Sequence, residues 1–124
     1  MEKILYISIG AVLGANARYW LSDWAAQKWG IAFPYGTLII NVTGSLLLGF
    51  FLTLSTERFL VDPRIRLMIA VGFLGAYTTF STYSMESFNL ISHGQWLVGL
   101  LNLLGSSVLG LLAVVLGVVL GKLL

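Results

Sequence analysis

The stretch WLVGLLNLLGSSVLGLLAVVLGVVLGKL, residues Trp96–Leu123, decides what kind of fold this chain adopts. Its one charged residue is Lys122, close to the end. Roughly 20 consecutive apolar residues are enough for a helix to cross the hydrocarbon core of a bilayer. Open strands are excluded there, because lipid offers no partner for their backbone N–H and C=O groups. The stretch therefore predicts a transmembrane helix.

Three more apolar runs precede this one. Of the 124 residues, 58% are hydrophobic and 10% are charged, and the mean hydropathy is +0.93, whereas a soluble domain has roughly a quarter charged residues. We do not expect the first run to be a signal peptide, because the chain after it is equally hydrophobic. The sequence predicts one all-α integral membrane domain, residues 1–124, with four spans at about residues 4–26, 33–54, 67–91 and 96–123.

The few basic residues indicate an orientation. Four spans leave Lys28 on one side of the membrane and place on the other Lys3, Arg58, Arg64, Arg66 and Lys122. Because cytoplasmic loops carry an excess of Lys and Arg, we expect both termini in the cytoplasm. These charges form no basic stripe, so the sequence does not predict nucleic-acid binding.

Small and polar residues form a stripe on one face of the fourth span. They recur at intervals of three and four, as residues on one helix face do: Gly99, Asn102, Ser106, Gly110, Ala113, Gly117 and Gly121. Such a face lets two helix backbones approach closely. The glycines predict helix packing, while Asn102 and Ser106 add hydrogen-bonding groups that packing alone does not require.

The third run contains GFLGAYTTFSTYS, residues 72–84, with two glycines and five Ser or Thr residues. These residue types weaken a helix. Unwound backbone at membrane depth occurs only where protein or a wet cavity covers it. We therefore predict a helix broken mid-membrane, whose freed carbonyl oxygens suit a hard cation such as Na⁺. The alternative is a continuous, hydroxyl-rich packing helix.

Two other runs carry polar groups at membrane depth. Thr37, Asn41 and Ser45 are four residues apart and so share one face of the second span. Their O–H and N–H groups can replace part of the hydration shell of an anion, or they can bridge helices. Arg18, in the first span, either places a positive charge at the mouth of an anion path or extends to the membrane interface.

Acidic residues are absent from the middle of every span, which disfavours a proton-coupled exporter of cations. The chain has one histidine, His93, and no cysteine, so a metal centre built from these ligands is not expected. Ser81 and Thr82 have no nearby base, so an enzyme is not expected. Phe80 and Tyr83 are three residues apart and can present positive ring edges to an anion, although core packing explains the same spacing.

Several motifs together resemble the Fluc (CrcB) fluoride channel family. They are Gly10-Ala11 through Gly14-Ala15 with Arg18-Tyr19, Pro34-Tyr35-Gly36-Thr37 through Asn41 and Gly44-Ser45, and Gly72-Phe73-Leu74-Gly75 with Thr78-Thr79-Phe80-Ser81-Thr82. The resemblance covers essentially the whole chain. Its most specific part is the Thr-Thr-Phe-Ser-Thr stretch after a glycine.

The resemblance implies a passive fluoride channel in the inner (plasma) membrane of a bacterium or other microorganism. It also implies an antiparallel, dual-topology dimer with two pores, a structural Na⁺ at the dimer centre and no organic cofactor. Main-chain carbonyls of Gly75 and Thr78 from both subunits would hold the Na⁺, and Arg18 would help form a vestibule that attracts F⁻. The residues implied for the fluoride pore are Phe80, Tyr83, Asn41, Ser81, Thr82, Thr37, Asn102 and Ser106.

Two residues depart from the family pattern. Tyr83 stands where the family usually has phenylalanine, and its hydroxyl would either hydrogen-bond F⁻ or narrow the pore. Asn102 stands one turn before Ser106, where members often carry tyrosine.

We expect a homodimer, but the biased count of basic residues leaves open a heterodimer with an oppositely oriented relative. Two other functions also stay open, a small dual-topology multidrug or cation exporter and an assembly subunit without transport.

Overall fold

A computed structural model describes residues 1–124 as helices joined by short connections, with no strand. The elements are α1 (Glu2–Trp29), α2 (Tyr35–Thr53) with a π-helical turn (Leu54–Arg58), α3 (Pro63–Arg66), a π-helical stretch (Leu67–Leu74), α4 (Gly75–Tyr77), α5 (Ser81–Ser92) and α6 (Trp96–Leu123). The predicted all-helical fold class is confirmed. The helices extend a few residues beyond several of the predicted spans, because polar residues at the ends continue the helical turns.

Three segments are long and apolar enough to cross a membrane: Tyr35–Arg58, Pro63–Ser92 and Trp96–Leu123. Helix α1 has 28 residues, but Asn16 and Arg18 lower its hydropathy and it is not among the three. Only 18 of the 124 residues are buried, and large apolar side chains are exposed along the helices. Because water disfavours such a surface and lipid accepts it, the chain is a multi-pass membrane protein.

The segment Pro63–Ser92 begins where local chemistry favours a helix. The carboxylate of Asp62 accepts the N–H of Arg64 at 2.8 Å, and proline suits the first turn because its missing N–H has no helical partner there. The same carboxylate binds the Arg64 guanidinium at 2.9 Å. The side-chain and backbone hydrogen bonds from Arg64 lower the pKa of Asp62 to about 2.

Residues 78–80 lie between α4 and α5 and are not helical. Thr78 is extended, with φ −83° and ψ 157°, and its N–H and its hydroxyl both donate to the Leu74 carbonyl, at 3.1 and 2.9 Å. On the other side, Oγ1 of Thr79 accepts the N–H of Thr82 at 3.2 Å, which satisfies a free donor at the beginning of α5. A threonine hydroxyl therefore stabilises each side of this interruption.

The helices pack in two close pairs, α1 against Leu67–Leu74 and α2 against α6. Both contacts depend on glycine. A Cβ atom at Gly10 would overlap the Met68 carbonyl oxygen, and one at Gly117 would overlap the Leu46 carbonyl oxygen. The packing role predicted for the small residues of α6 is therefore confirmed. The two pairs share a small core formed by Ile40, Leu74 and Tyr77.

Candidate functional site

An open cleft of about 470 Å³ lies where α2, residues 78–80, α5 and α6 meet. Thirteen residues line it, and none of them is charged. The lining includes the polar residues Asn41, Ser45, Thr78, Thr79, Ser106 and Ser107 and the aromatic residues Phe80 and Tyr83. The cleft therefore combines hydroxyl groups, an amide and aromatic ring edges without a carboxylate.

Asn41 holds residues 78–80 in place from α2. Its Nδ2 donates to the Thr79 carbonyl at 2.9 Å, and its Oδ1 accepts the Thr79 N–H at 2.8 Å. The two bonds satisfy both backbone groups of a residue that has left the helix, as half-buried backbone requires. A side-chain amide has two N–H donors, so one of them remains for a bound group. Because Asn41 lines the cleft, that group can be an anion.

The same clamp leaves two carbonyl oxygens without their helical partners. In a continuous helix the Thr79 N–H would bond the Gly75 carbonyl, but it donates to Asn41 instead. The Thr82 N–H would bond the Thr78 carbonyl, but it donates to Oγ1 of Thr79. The interruption therefore frees the carbonyls of Gly75 and Thr78 for another ligand.

Arg18 reaches this segment from α1. Its Nε donates to the Ala76 carbonyl at 3.0 Å, and the side chain is half-buried. Arg18 is not among the residues that line the cleft. Within one chain it therefore tethers α1 to α4.

Phe80 and Tyr83 lie on the cleft as a pair, with ring centroids 5.8 Å apart and planes tilted by 48°. The Phe80 side chain is 79% exposed, so most of its ring has no contact within this chain. The Tyr83 hydroxyl donates to the Leu103 carbonyl at 2.7 Å and lies 3.1 Å from Oγ of Ser107. Tyr83 therefore keeps its ring in the cleft while its hydroxyl bonds to α6.

Asn102 lies behind the cleft and is 2% exposed. Its Nδ2 donates to Oγ of Ser87 at 2.8 Å, and its Oδ1 accepts the hydroxyl of Ser106 at 3.1 Å. Ser87 in turn donates to the Tyr83 carbonyl at 2.8 Å. This hydrogen-bonded chain joins α5 to α6 and fixes the position of Ser106 on the cleft wall.

Other predicted pore residues do not reach the cleft. Thr37 is buried at the beginning of α2, next to a smaller cleft that Glu86 also lines. Ser81 is exposed and Thr82 is half-buried in the first turn of α5. Of the predicted pore residues, the structure brings together Asn41, Phe80, Tyr83 and Ser106 and leaves outside Thr37, Ser81, Thr82 and Asn102.

Thr79 and Ser107 line the cleft, although neither was predicted as a pore residue. Thr79 lies inside the hydroxyl-rich stretch of the third run, and this position is the sequence feature that could have identified it as a pore residue. Ser107 falls outside the small-residue stripe of α6. Its spacing of three from Gly110 places both on one helix face, but nothing in the sequence shows that Tyr83 packs there.

Comparisons with known proteins agree along nearly the whole chain. The family described as CrcB-like protein, Camphor Resistance (CrcB), matches residues 5–118. A protein named fluoride-specific ion channel FluC from Trichormus variabilis is 52% identical over 118 residues, which are 94% of this chain and 86% of the relative. Proteins of the same name from Chloroflexus aurantiacus and Magnetococcus marinus are 50% identical over 122 residues (98% and 97%) and 45% identical over 123 residues (98% and 99%).

Proposed function

The chain belongs to the CrcB-like family, and from that premise we propose that it is a fluoride-specific ion channel. The relatives at about 50% identity are named as ion channels and not as enzymes. The observation that carries the proposal is the cleft, which brings together Asn41, Phe80, Tyr83 and Ser106 with no charged residue in its lining. Such a site offers an anion hydrogen-bond donors and offers a cation no carboxylate.

The chemistry of the cleft suits a small, strongly hydrated anion that moves passively down its gradient. F⁻ must exchange water for protein groups at a narrow point, and the pore lining decides which ions can do so. The free N–H of Asn41 is one such group. The edge of the Phe80 ring is positive and adds an attraction that does not trap the ion. We assign Phe80 and Asn41 to the ion path, with Ser106 and Tyr83 on its wall.

A second copy of the chain completes the site. The cleft is open along one side, and Phe80 is 79% exposed there. Amide and hydroxyl groups facing hydrocarbon are costly, so the bilayer is an unfavourable cover for them. An antiparallel, dual-topology dimer would place one copy over the cleft of the other and enclose two pores. A homodimer is the simpler assembly, and a heterodimer with an inverted relative would cover the cleft equally.

A structural Na⁺ at the dimer centre fits the carbonyls that the interruption frees. Gly75 and Thr78 lack their helical partners because Thr79 and Thr82 bond elsewhere, and hard cations prefer such oxygen ligands. No group of three or more His, Cys, Asp or Glu residues comes together as a competing metal site. Two carbonyls from each of two copies would surround the ion, and the bound ion would join the copies.

In the membrane, α1 acts as a fourth span beside the three apolar segments. It packs along Leu67–Leu74, and its tether from Arg18 to Ala76 places the middle of α1 beside residues 78–80. This arrangement supports an interruption at mid-membrane depth. The relatives are bacterial, and an ion channel that lowers cytoplasmic fluoride acts in the inner (plasma) membrane. Five assignments stay predictions: the vestibule role of Arg18 and the pore roles of Thr37, Ser81, Thr82 and Asn102.

The exporter and the assembly subunit are less well supported. A proton-coupled cation exporter needs a carboxylate in its binding site, and the cleft lining contains none. An assembly subunit needs packing surfaces, yet one N–H of Asn41 and most of the Phe80 ring have no partner in the chain. The open donors and ring edge favour a path for an anion.

Replacing Phe80 tests this proposal. In liposomes containing only this protein, Phe80→Ile should abolish F⁻ efflux while the dimer stays intact on size exclusion, because isoleucine keeps the bulk and loses the ring edge. Phe59→Ile is the matched control, since Phe59 is exposed and lies outside the cleft, and it should conduct like the wild type. Unchanged efflux in Phe80→Ile would remove Phe80 from the ion path.

A further inference from the structure

We propose that the hydroxyls of Tyr83 and Ser107 form a shared hydrogen-bond donor for the anion in the cleft. The inference rests on the proposed fluoride channel and adds a specificity-determining pair to it. Both side chains line the cleft, from α5 and α6. Ser107 gives the ring hydroxyl of Tyr83 a partner on the cleft wall.

The two hydroxyls share one acceptor. Tyr83 Oη lies 2.7 Å from the Leu103 carbonyl oxygen, Ser107 Oγ lies 2.8 Å from the same oxygen, and the two hydroxyl oxygens are 3.1 Å apart. A carbonyl oxygen has two lone pairs. In an α-helix one of them receives the N–H four residues later, which here is the N–H of Ser107. One lone pair therefore remains for two O–H groups.

This count leaves one hydroxyl proton free. When Tyr83 donates to Leu103, the Ser107 proton can turn into the cleft, and when Ser107 donates, the Tyr83 proton can do so. In both arrangements the Leu103 carbonyl stays satisfied, and turning the second proton into the cleft gives up only the 3.1 Å bond between the two hydroxyls. The pair can therefore offer an anion a hydrogen bond at little cost in internal hydrogen bonding.

The other hydroxyl on this wall is not free in the same way. Ser106 donates to Oδ1 of Asn102, and that amide is held by Ser87. In this arrangement the Ser106 proton is engaged with Asn102 and is not available to an anion in the cleft. The free N–H of Asn41 and the shared proton of Tyr83 and Ser107 then face the cleft, beside the hydroxyls of Ser45 and Thr79, which also line it.

Four variants test the shared donor in liposomes at fluoride below saturation. Tyr83→Phe and Ser107→Ala should each lower F⁻ efflux about tenfold, since one hydrogen bond to a charged group is lost. The double variant should lose no more than either single variant, because each one already removes the spare proton. Ser107→Thr keeps the hydroxyl and should conduct within about twofold of the wild type.

Ser8→Ala is the matched control. Ser8 also donates to the carbonyl four residues before it, at 2.6 Å from Ile4, but it lies in α1 outside the cleft. If the wild type conducts and both single variants conduct like Ser8→Ala, the shared-donor proposal is wrong. The proposed channel function is then unaffected. A double variant whose loss is the product of the two single losses would also overturn it, because the hydroxyls would then act independently. A wild type without F⁻ efflux would instead overturn the proposed function.

Discussion

Asn41 holds the backbone of the cleft in place and also presents a hydrogen-bond donor to it. Its amide replaces two helical hydrogen bonds of Thr79, at 2.8 and 2.9 Å, and keeps one N–H for the cleft. The residue therefore stabilises the non-helical backbone on which Phe80 stands. Its structural role and its proposed role in the ion path therefore depend on the same amide group.

Removing this amide should weaken both roles. We expect Asn41→Ala to lower the free energy of unfolding by about 2 kcal/mol, because two half-buried backbone groups of Thr79 lose their partners. F⁻ efflux should fall with it. Unfolding in detergent measures the first effect and liposome efflux the second.

Asn16→Ala provides the control. The Asn16 amide bonds only the Val12 carbonyl in its own helix, at 2.7 Å, and is exposed, so its removal should change stability by less than about 0.5 kcal/mol. Equal losses in the two variants would show that the clamp contributes nothing specific.

At individual positions, the sequence indicated which residues belong to the site better than it indicated which residues they contact. Asn41 stands out as an amide at membrane depth in the second span, and Phe80 as an aromatic residue within the helix-weakening stretch of the third run. The buried position of Asn102 could not be predicted, because it depends on Ser87 presenting its hydroxyl from another helix. Periodicity places a residue on a face, and the partner helix decides whether that face is a cleft or an interface.

Among the helices, close packing rests on glycines that face carbonyl oxygens. Gly117 in α6 meets α2, where a Cβ atom would overlap the Leu46 carbonyl and lie 2.8 Å from the Phe50 nitrogen. Gly105, in the same helix, has no atom within 4 Å of such a Cβ. The two glycines therefore differ in environment while sharing a helix.

This difference predicts opposite effects on stability. Gly117→Ala should lower the free energy of unfolding by about 1–3 kcal/mol, because α6 must move away from α2. Gly105→Ala should raise it by about 0.5–1 kcal/mol, because alanine favours the helix. Denaturation of the two purified variants in one detergent compares them directly. Equal shifts of the same sign would contradict the packing described here.

The beginning of the third segment carries a pH-dependent contact. Arg64 lowers the pKa of Asp62 from 3.8 to about 2, so ionised Asp62 stabilises the folded state above pH about 4, and this stabilisation is lost as the pH falls towards 2. Asp62→Asn should therefore melt below the wild type at neutral pH, and the difference should shrink over that window. A difference in melting temperature that is the same at every pH would exclude the ion pair as its cause.

At the level of helices, the hydrophobic runs predicted an all-helical chain, and three of its segments are long and apolar enough to cross a membrane. Trp96–Leu123 forms one helix, as its apolar run predicted, and its few polar side chains do not interrupt it. Hydropathy does not predict where α2 ends or where the third segment begins. The end of α2 continues into a π-helical turn (Leu54–Arg58), and the third segment begins at the Asp62 cap. Hydropathy also does not predict the positions of Thr78 and Thr79. Thr78 is held by Leu74, one turn earlier, and Thr79 is held by Asn41, from another helix.

For the whole molecule, the exposed surface is the feature that supports the proposed dimer. Few side chains are buried within one chain, and the open side of the cleft exposes Phe80. Lipid can cover the apolar surface, whereas the polar cleft favours a protein cover. Two inverted copies would supply it. Because the predicted topology places five basic residues on one side of the membrane, insertion in both directions is the feature most in need of a test.

Cysteine labelling tests the orientation, because the chain has no cysteine of its own. We expect His93→Cys and Leu124→Cys, on opposite sides of the membrane, each to react with a membrane-impermeant maleimide in close to half of the chains in intact cells. Full labelling at one site and none at the other would show a single orientation. The chain would then need an oppositely oriented relative to complete the site.

The most direct test of the central claim is anion efflux from liposomes that contain only this protein. We predict rapid F⁻ efflux, compared with empty vesicles, and Cl⁻ efflux at the level of empty vesicles, because the cleft offers a few donors and ring edges to a small anion. F⁻ efflux no faster than from empty vesicles, or equal efflux of F⁻ and Cl⁻, would contradict the account.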